Sequence, residues 1–117
     1  MYHCNMNNNQ LLKGTLQTII LRLLQENQRL YGYEITQKVK ELSDGTFQLA
    51  EGSLYPALYK LEAEGYLETS TEIVDGRVRK YYSLSSEGES RAISSTREAA
   101  EFIEKLQLVL NLKPNLT

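Results

Sequence analysis

Arg77, Arg79 and Lys80 place three cations within four positions, the only concentrated positive charge in the body of the chain. Side chains of this kind bind phosphate or other anions through charge-assisted hydrogen bonds, although a solvated surface face is the common meaning of such a run. A second polar set, Ser53, Tyr55, Tyr59 and Lys60, lies within GSLYPALYKLEAEGYL (Gly52 to Leu67), and a tyrosine pair, Tyr31 and Tyr33, lies upstream. Hydroxyls and ammonium groups without an acid–base partner do binding chemistry rather than bond-making. The sole histidine, His3, stands in an Asn-rich N-terminal stretch, so no Ser, His and Asp set can form around it. No phosphate-cradling glycine loop is present, and the carboxylates fall on expected exposed faces. An enzyme is therefore not expected. His3 and Cys4 supply two ligands where a zinc site takes three or four, so neither a metal nor another cofactor is expected.

The overall balance does not announce a polyanion partner. Net charge is −2 and the sequence pI is about 5.5, so any nucleic-acid function must rest on where the cations are placed. A chain of 117 residues with 41% hydrophobic content fits one domain with one appended element. No apolar run outlasts Ile19 to Leu21, no secretory leader is evident, and the lone Cys4 excludes an internal disulfide framework. A soluble cytoplasmic protein without membrane contact is the expectation.

The elements that must carry these residues follow from periodicity. Leu12, Leu16, Ile19, Ile20, Leu23 and Leu24 form a helical stripe that predicts a first helix over Leu11 to Glu26. A second helix is expected around YGYEITQKVKEL with Ile35, Val39 and Leu42 inward, stopped by Ser43, Asp44 and Gly45. Thr46 to Glu51, with Phe47 and Leu49 on one side, reads as a short strand or an anchored loop. In the third helix, Gly52 to Gly65, residues Leu54, Ala57, Leu58 and Leu61 share the core face, while Pro56, Tyr59, Lys60 and Ala63 lie opposite. Proline fits a first turn, which predicts a start near Gly52 or Ser53 with Ser53 as the cap.

YLETSTEIV and RVRKYYSLS flank Asp75-Gly76, the preferred type I′ hairpin turn. Pairing outward sets Ile73 opposite Val78 and Leu67 opposite Leu84 on one face, and Glu72 opposite Arg79, Ser70 opposite Tyr81 and Val74 opposite Arg77 on the other. Glu72 is expected to neutralise Arg79 in part. Ser85 or Ser86 can cap a long final helix, Ser86 with Glu89 fitting a capping box, and that helix is predicted to run to about Leu112, closed by Lys113-Pro114. Ala92, Ala99, Phe102, Ile103, Leu106, Val109 and Leu110 line one side of it. Such a helix outreaches a small core, so part of this stripe should meet another chain.

Helix, helix, helix, hairpin and long helix is the order of a winged helix-turn-helix with an added dimerisation helix: a mainly α fold with a small β-hairpin. The expected organisation is a flexible tail over 1–10, a winged helix domain over 11–84 and a dimerisation helix over 85–117. EGSLYPALYKLEAEGYLE followed by DGRVRKYYSLSSEG, with YGYEI upstream, resembles the signature of PadR-type transcriptional regulators, in their short form with one C-terminal helix. The resemblance implies a homodimer on a roughly two-fold symmetric operator in double-stranded DNA, commonly a repressor released by a small hydrophobic or aromatic molecule. Carried onto this chain, it makes Gly52 to Gly65 the recognition helix and the hairpin the wing. Tyr31, Tyr33, Ser53, Tyr55, Tyr59, Lys60, Arg77, Arg79 and Lys80 become DNA contacts, with Tyr55 equally readable as a residue flanking the core. Ala99, Phe102, Ile103, Leu106 and Leu110 become the dimer seam. Helix one and the C-terminal helices could enclose an effector cavity there, although plain coiled packing explains the same residues. The chain has no Trp, so the tryptophan-lined drug pocket of some relatives is absent. A winged helix that docks protein through Tyr55, Pro56 and Tyr59 is the competing function.

Overall fold

The structure, a computed structural model, describes residues 10–112. After a helical segment at 10–13, the elements are α1 (Leu16–Glu26), β1 (Leu30–Tyr31), α2 (Gly32–Leu42), α3 (Glu51–Ala63), β2 (Leu67–Val74), β3 (Arg77–Leu84) and α4 (Ser86–Val109). The expected tail, apart from residue 10, lies outside the described residues, as do His3, Cys4 and the Lys113-Pro114 stop.

α1 is the centre of the core. Leu16, Ile20, Leu21, Leu23 and Leu24 are all buried on it, because it touches α3, α4 and β3 at once. Around them close Ile35 and Val39 of α2, Leu54, Leu58 and Leu61 of α3, Leu30, Leu67 and Tyr82 of the sheet, and Ala92 of α4. Each large side chain so buried contributes about 1.5–3 kcal/mol of transfer free energy. The predicted continuous helix from Leu11 is broken at Gly14 and Thr15. There the Thr15 N–H and Oγ1 both donate to the Leu12 carbonyl (2.9 and 3.2 Å), and glycine weakens the helix where the break falls. Leu42, expected inward, is exposed at the end of α2. The segment Thr46 to Ala50 is the anchored loop, not a strand: Phe47 and Leu49 pack on the core, and the Phe47 N–H donates to Ser43 Oγ at 2.9 Å.

α3 starts at Glu51 with Ala50 at the cap position and no side-chain cap, so Ser53 is not the cap. Pro56 consequently stands in the second turn rather than the first. Its missing N–H frees only the carbonyl of Gly52, an exposed residue. The helix ends as expected at Gly65, whose φ of 86° is the left-handed conformation glycine adopts freely. The Gly65 N–H donates to Glu62 O (3.0 Å) and the Tyr66 N–H to Leu61 O (2.9 Å), a Schellman closure.

The hairpin pairs residue for residue as the turn predicts, from Val74 opposite Arg77 to Leu67 opposite Leu84, with Asp75 and Gly76 at φ 53° and 76°. β1, which the sequence does not reveal, adds to the free edge of β3, giving a three-stranded antiparallel sheet of order β1-β3-β2 with Leu30 opposite Tyr82 and Tyr31 opposite Tyr81. At the tip, Ile73 and Val78 pair as expected but remain exposed, since the hairpin reaches past the core.

α4 is capped by Ser85, not by a Ser86–Glu89 box. Ser85 Oγ accepts from the Gly88 N–H (3.0 Å) and donates to the Gly65 carbonyl (2.6 Å), while the Ser85 N–H donates to Tyr66 O (3.0 Å). Gly88 lies so close to the Tyr66 carbonyl that a Cβ there would overlap it. The helix stops at Val109, short of Leu112, because Asn111 turns left-handed (φ 58°) and the Leu112 N–H returns to Gln107 O at 2.9 Å.

Candidate nucleic-acid interface

The core face of α3 is fixed by Leu54, Leu58 and Leu61, and this turns Ser53, Tyr59 and Lys60 to solvent. Tyr55 lies between the two faces, packed against the core. Its ring rests on Gly32 at the start of α2, where any side chain would run into the phenol. Tyr55 therefore flanks the core, as one of its two readings has it, and it also lines a cleft. That cleft, about 710 Å³, lies between the wing, the start of α2 and the middle of α3, and its walls include Tyr31, Tyr55, Tyr59, Arg77, Arg79 and Lys80. Six of the nine residues expected at a duplex are thus brought together. Tyr33, Ser53 and Lys60 stay outside it, exposed on the flanking helices.

The three wing cations are held differently. Among the described residues, Arg77 takes part in no ion pair and no ring contact. The Arg79 guanidinium lies 4.1 Å over the Tyr31 ring. Lys80, on the opposite face of the strand, stands 3.7 Å from Glu62 and 5.4 and 5.3 Å from the ring centres of Tyr59 and Tyr82. Desolvation pulls the Lys80 pKa down, but Tyr82 and Glu62 outweigh it and leave the value raised, so the ammonium is charged at neutral pH. Burial pushes the Tyr82 phenol above its ordinary range, and the neighbouring Lys80 ammonium, which pulls the other way, is outweighed.

Glu72 does not neutralise Arg79, although the two are cross-strand partners. It pairs instead with Arg29 at 2.7 Å. Arg29 lies 3.9 Å over the Tyr81 ring, and Tyr81 meets Tyr31 edge to face at 5.5 Å and 86°. Arg29, Tyr81, Tyr31 and Arg79 so form a continuous chain of ring and cation contacts that braces the wing root. Sequence reasoning missed Arg29 and Tyr81 as a unit. The available signal was the alternation of Arg29 and Tyr31 just before a helix, too short to read as a strand.

On α4, Ala99 is half-buried, whereas Phe102, Ile103, Leu106 and Leu110 are exposed at 64%, 56%, 41% and 56%. Phe102 and Ile103 also line a recess of about 710 Å³ against residues 10–21, with Leu11, Leu21, Arg91 and Glu98 on its walls. Exposed apolar surface of this kind is what protein interfaces, ligand grooves and membrane contacts are built from. Among the described residues no helix is long and apolar enough to cross a membrane.

Comparison with known proteins places this arrangement in a family. The chain is 36% identical over 101 residues to an uncharacterized protein of Lysinibacillus sphaericus, covering 86% of this chain and 92% of that one. It is similar in structure to a transcriptional regulator from Clostridium thermocellum (TM-score 0.71, 31% identity, 87% of this chain and 95% of that chain). A PadR-like transcriptional regulator from Bacillus cereus is similar too (TM-score 0.72, 28% identity, 89% and 99%). Residues 20–93, which hold α2, α3, the whole wing and most of α1, match the model of the transcriptional regulator PadR-like family, and the chain belongs to that family of transcriptional regulators.

Proposed function

We propose that this chain is a DNA-binding repressor that acts in the cytoplasm as a homodimer on a two-fold symmetric operator. The observation that carries the proposal is the cleft between wing and α3, whose walls bring Tyr31, Tyr55 and Tyr59 together with the cations Arg77, Arg79 and Lys80. A duplex whose major groove receives the N-terminal half of α3 would set Ser53, Tyr55 and Tyr59 near the bases or backbone, Lys60 and the start of α2 with Tyr33 at flanking phosphates, and the wing at the backbone or minor groove. α3 carries no Arg, Asn or Gln, the side chains that most often make bidentate base contacts. Site choice then draws on DNA shape and on the spacing between two subunits. The seam of the dimer is α4, through Ala99, Phe102, Ile103, Leu106 and Leu110. The recess beside Phe102 supports release by a small hydrophobic or aromatic effector.

The test is a gel shift with DNA from upstream of the protein's own gene, with and without excess nonspecific duplex. A shift that survives competition is expected. No shift at low salt would refute DNA binding and leave the protein-docking function, served by Tyr55, Pro56 and Tyr59. A thermal-shift screen with aromatic acids and lipophilic cations, flat for every compound, would remove the effector.

A further inference from the structure

Lys80 is the wing cation whose charge is answered by a carboxylate from within the chain. Its Nζ lies 3.7 Å from Glu62 Oε1 in the last turn of α3, and both side chains are only partly exposed, at 42% and 37%. Two rings close around the same ammonium, Tyr59 from α3 and Tyr82 from β3. Arg79 rests on a ring and makes no ion pair, Glu34 acting on it only from farther off, and Arg77 is free of both kinds of partner among the described residues. The Glu62–Lys80 pair therefore links the wing to the last turn of α3 beside the cleft, and it places a negative charge next to one of the three cations that a phosphate backbone would meet.

Indiscriminate binding to a duplex is almost wholly electrostatic: each phosphate neutralised releases about 0.9 counterion. A lysine already paired adds less to that sum than a free one, because its carboxylate either stays beside the phosphates or must give the cation up. On the DNA-binding function proposed above, we infer that Glu62 is an affinity-limiting residue that withholds Lys80 from nonspecific DNA. Indiscriminate contact is left to Arg77 and Arg79, and Lys80 is transferred to phosphate only where a site fits both helix and wing. Glu62 touches no DNA in this scheme. It acts through Lys80, as a positioning residue.

The experiment is a salt titration with a scrambled 30-base-pair duplex, followed by anisotropy, for the full chain and for Glu62→Gln, Lys80→Gln and the double variant, with thermal melts to show that each is folded. Glu62→Gln is expected to tighten binding at low salt and to steepen the slope of log K against log salt by about 0.9, so that about threefold more affinity is lost between roughly 50 and 200 mM salt. In the Lys80→Gln background the same change is expected to leave the slope where it was. An unaltered slope in Glu62→Gln overturns the inference. So does equal steepening in both backgrounds, which would report only the loss of one negative charge. If the unsubstituted chain binds no duplex at low salt, DNA binding itself fails and the inference falls with it, an outcome separate from the first two because it appears before any substitution is made.

Discussion

Removing the Phe102 ring tests the α4 seam with a magnitude that the structure supplies. An aromatic side chain offers about 200 Å², and Phe102 keeps 64% of its surface open in the single chain. About 130 Å² is thus available for a partner, worth roughly 3 kcal/mol at about 25 cal/mol per Å². In an isologous dimer both copies change together, so Phe102→Ala has a ceiling near 6 kcal/mol. Even half that burial, about 3 kcal/mol, weakens the dimer more than a hundredfold in Kd. Sedimentation velocity over a dilution series reads this directly. The expected result is a dimer for the unsubstituted chain and a monomer for the variant at the same micromolar concentration. Thermal unfolding of the isolated variant subunit should change little, since the ring is already exposed. A chain that sediments as a monomer at tens of micromolar, or a variant that dimerises with the original Kd, would refute the seam.

Arg77→Ala should weaken binding equally on all duplexes and lower the salt slope by about one, as measured by titrations of target and scrambled DNA; an unchanged slope removes Arg77 from the contacts. Ser85→Ala deletes the cap of α4 and leaves the Gly65 carbonyl without its 2.6 Å donor. A loss of about 1–2 kcal/mol is expected, seen as a fall in Tm of several degrees. Gly88→Ala should cost more, because its Cβ would have to displace backbone at Tyr66. A calorimetric Tm equal to that of the unsubstituted chain would contradict the packing at that junction.

What could be read from the sequence was local. The Asp75-Gly76 turn admits one register, and eight cross-strand pairs follow from it without knowledge of the rest of the chain. The core face of α3 follows from the spacing of Leu54, Leu58 and Leu61 in the same way. Pro56 misled the start of that helix because the steric rule concerns an interior N–H, and an exposed glycine at i−4 relaxes the cost. β1 stayed hidden because two residues carry no alternation, and with it went the Arg29, Tyr81, Tyr31 and Arg79 chain of contacts, whose members meet only once the third strand is in place. The partners of Glu62 and Glu72 were equally out of reach: Lys80 and Arg29 are distant in sequence, and cross-strand adjacency pointed Glu72 to Arg79 instead. The exposure of apolar residues on α4 was legible because a helix of that length has more apolar stripe than one small core can cover.

Two bonds from Ser85, to the Gly65 and Tyr66 carbonyls, tie the start of α4 to the end of α3, and a third, from the Gly88 N–H, closes the cap of α4 itself. Mechanically this is a welded corner. From Ser86 to Phe102 the arm is roughly 24 Å long at 1.5 Å per residue, so in a dimer pivoting at Phe102 a tilt of about 10° carries the corner through about 4 Å. That exceeds the roughly 3.4 Å between successive nucleotides along a strand. On the function proposed above, small changes in how two α4 helices cross would therefore move each α3 relative to its half of the operator by a distance comparable to one base-pair step, without any bend inside the winged helix.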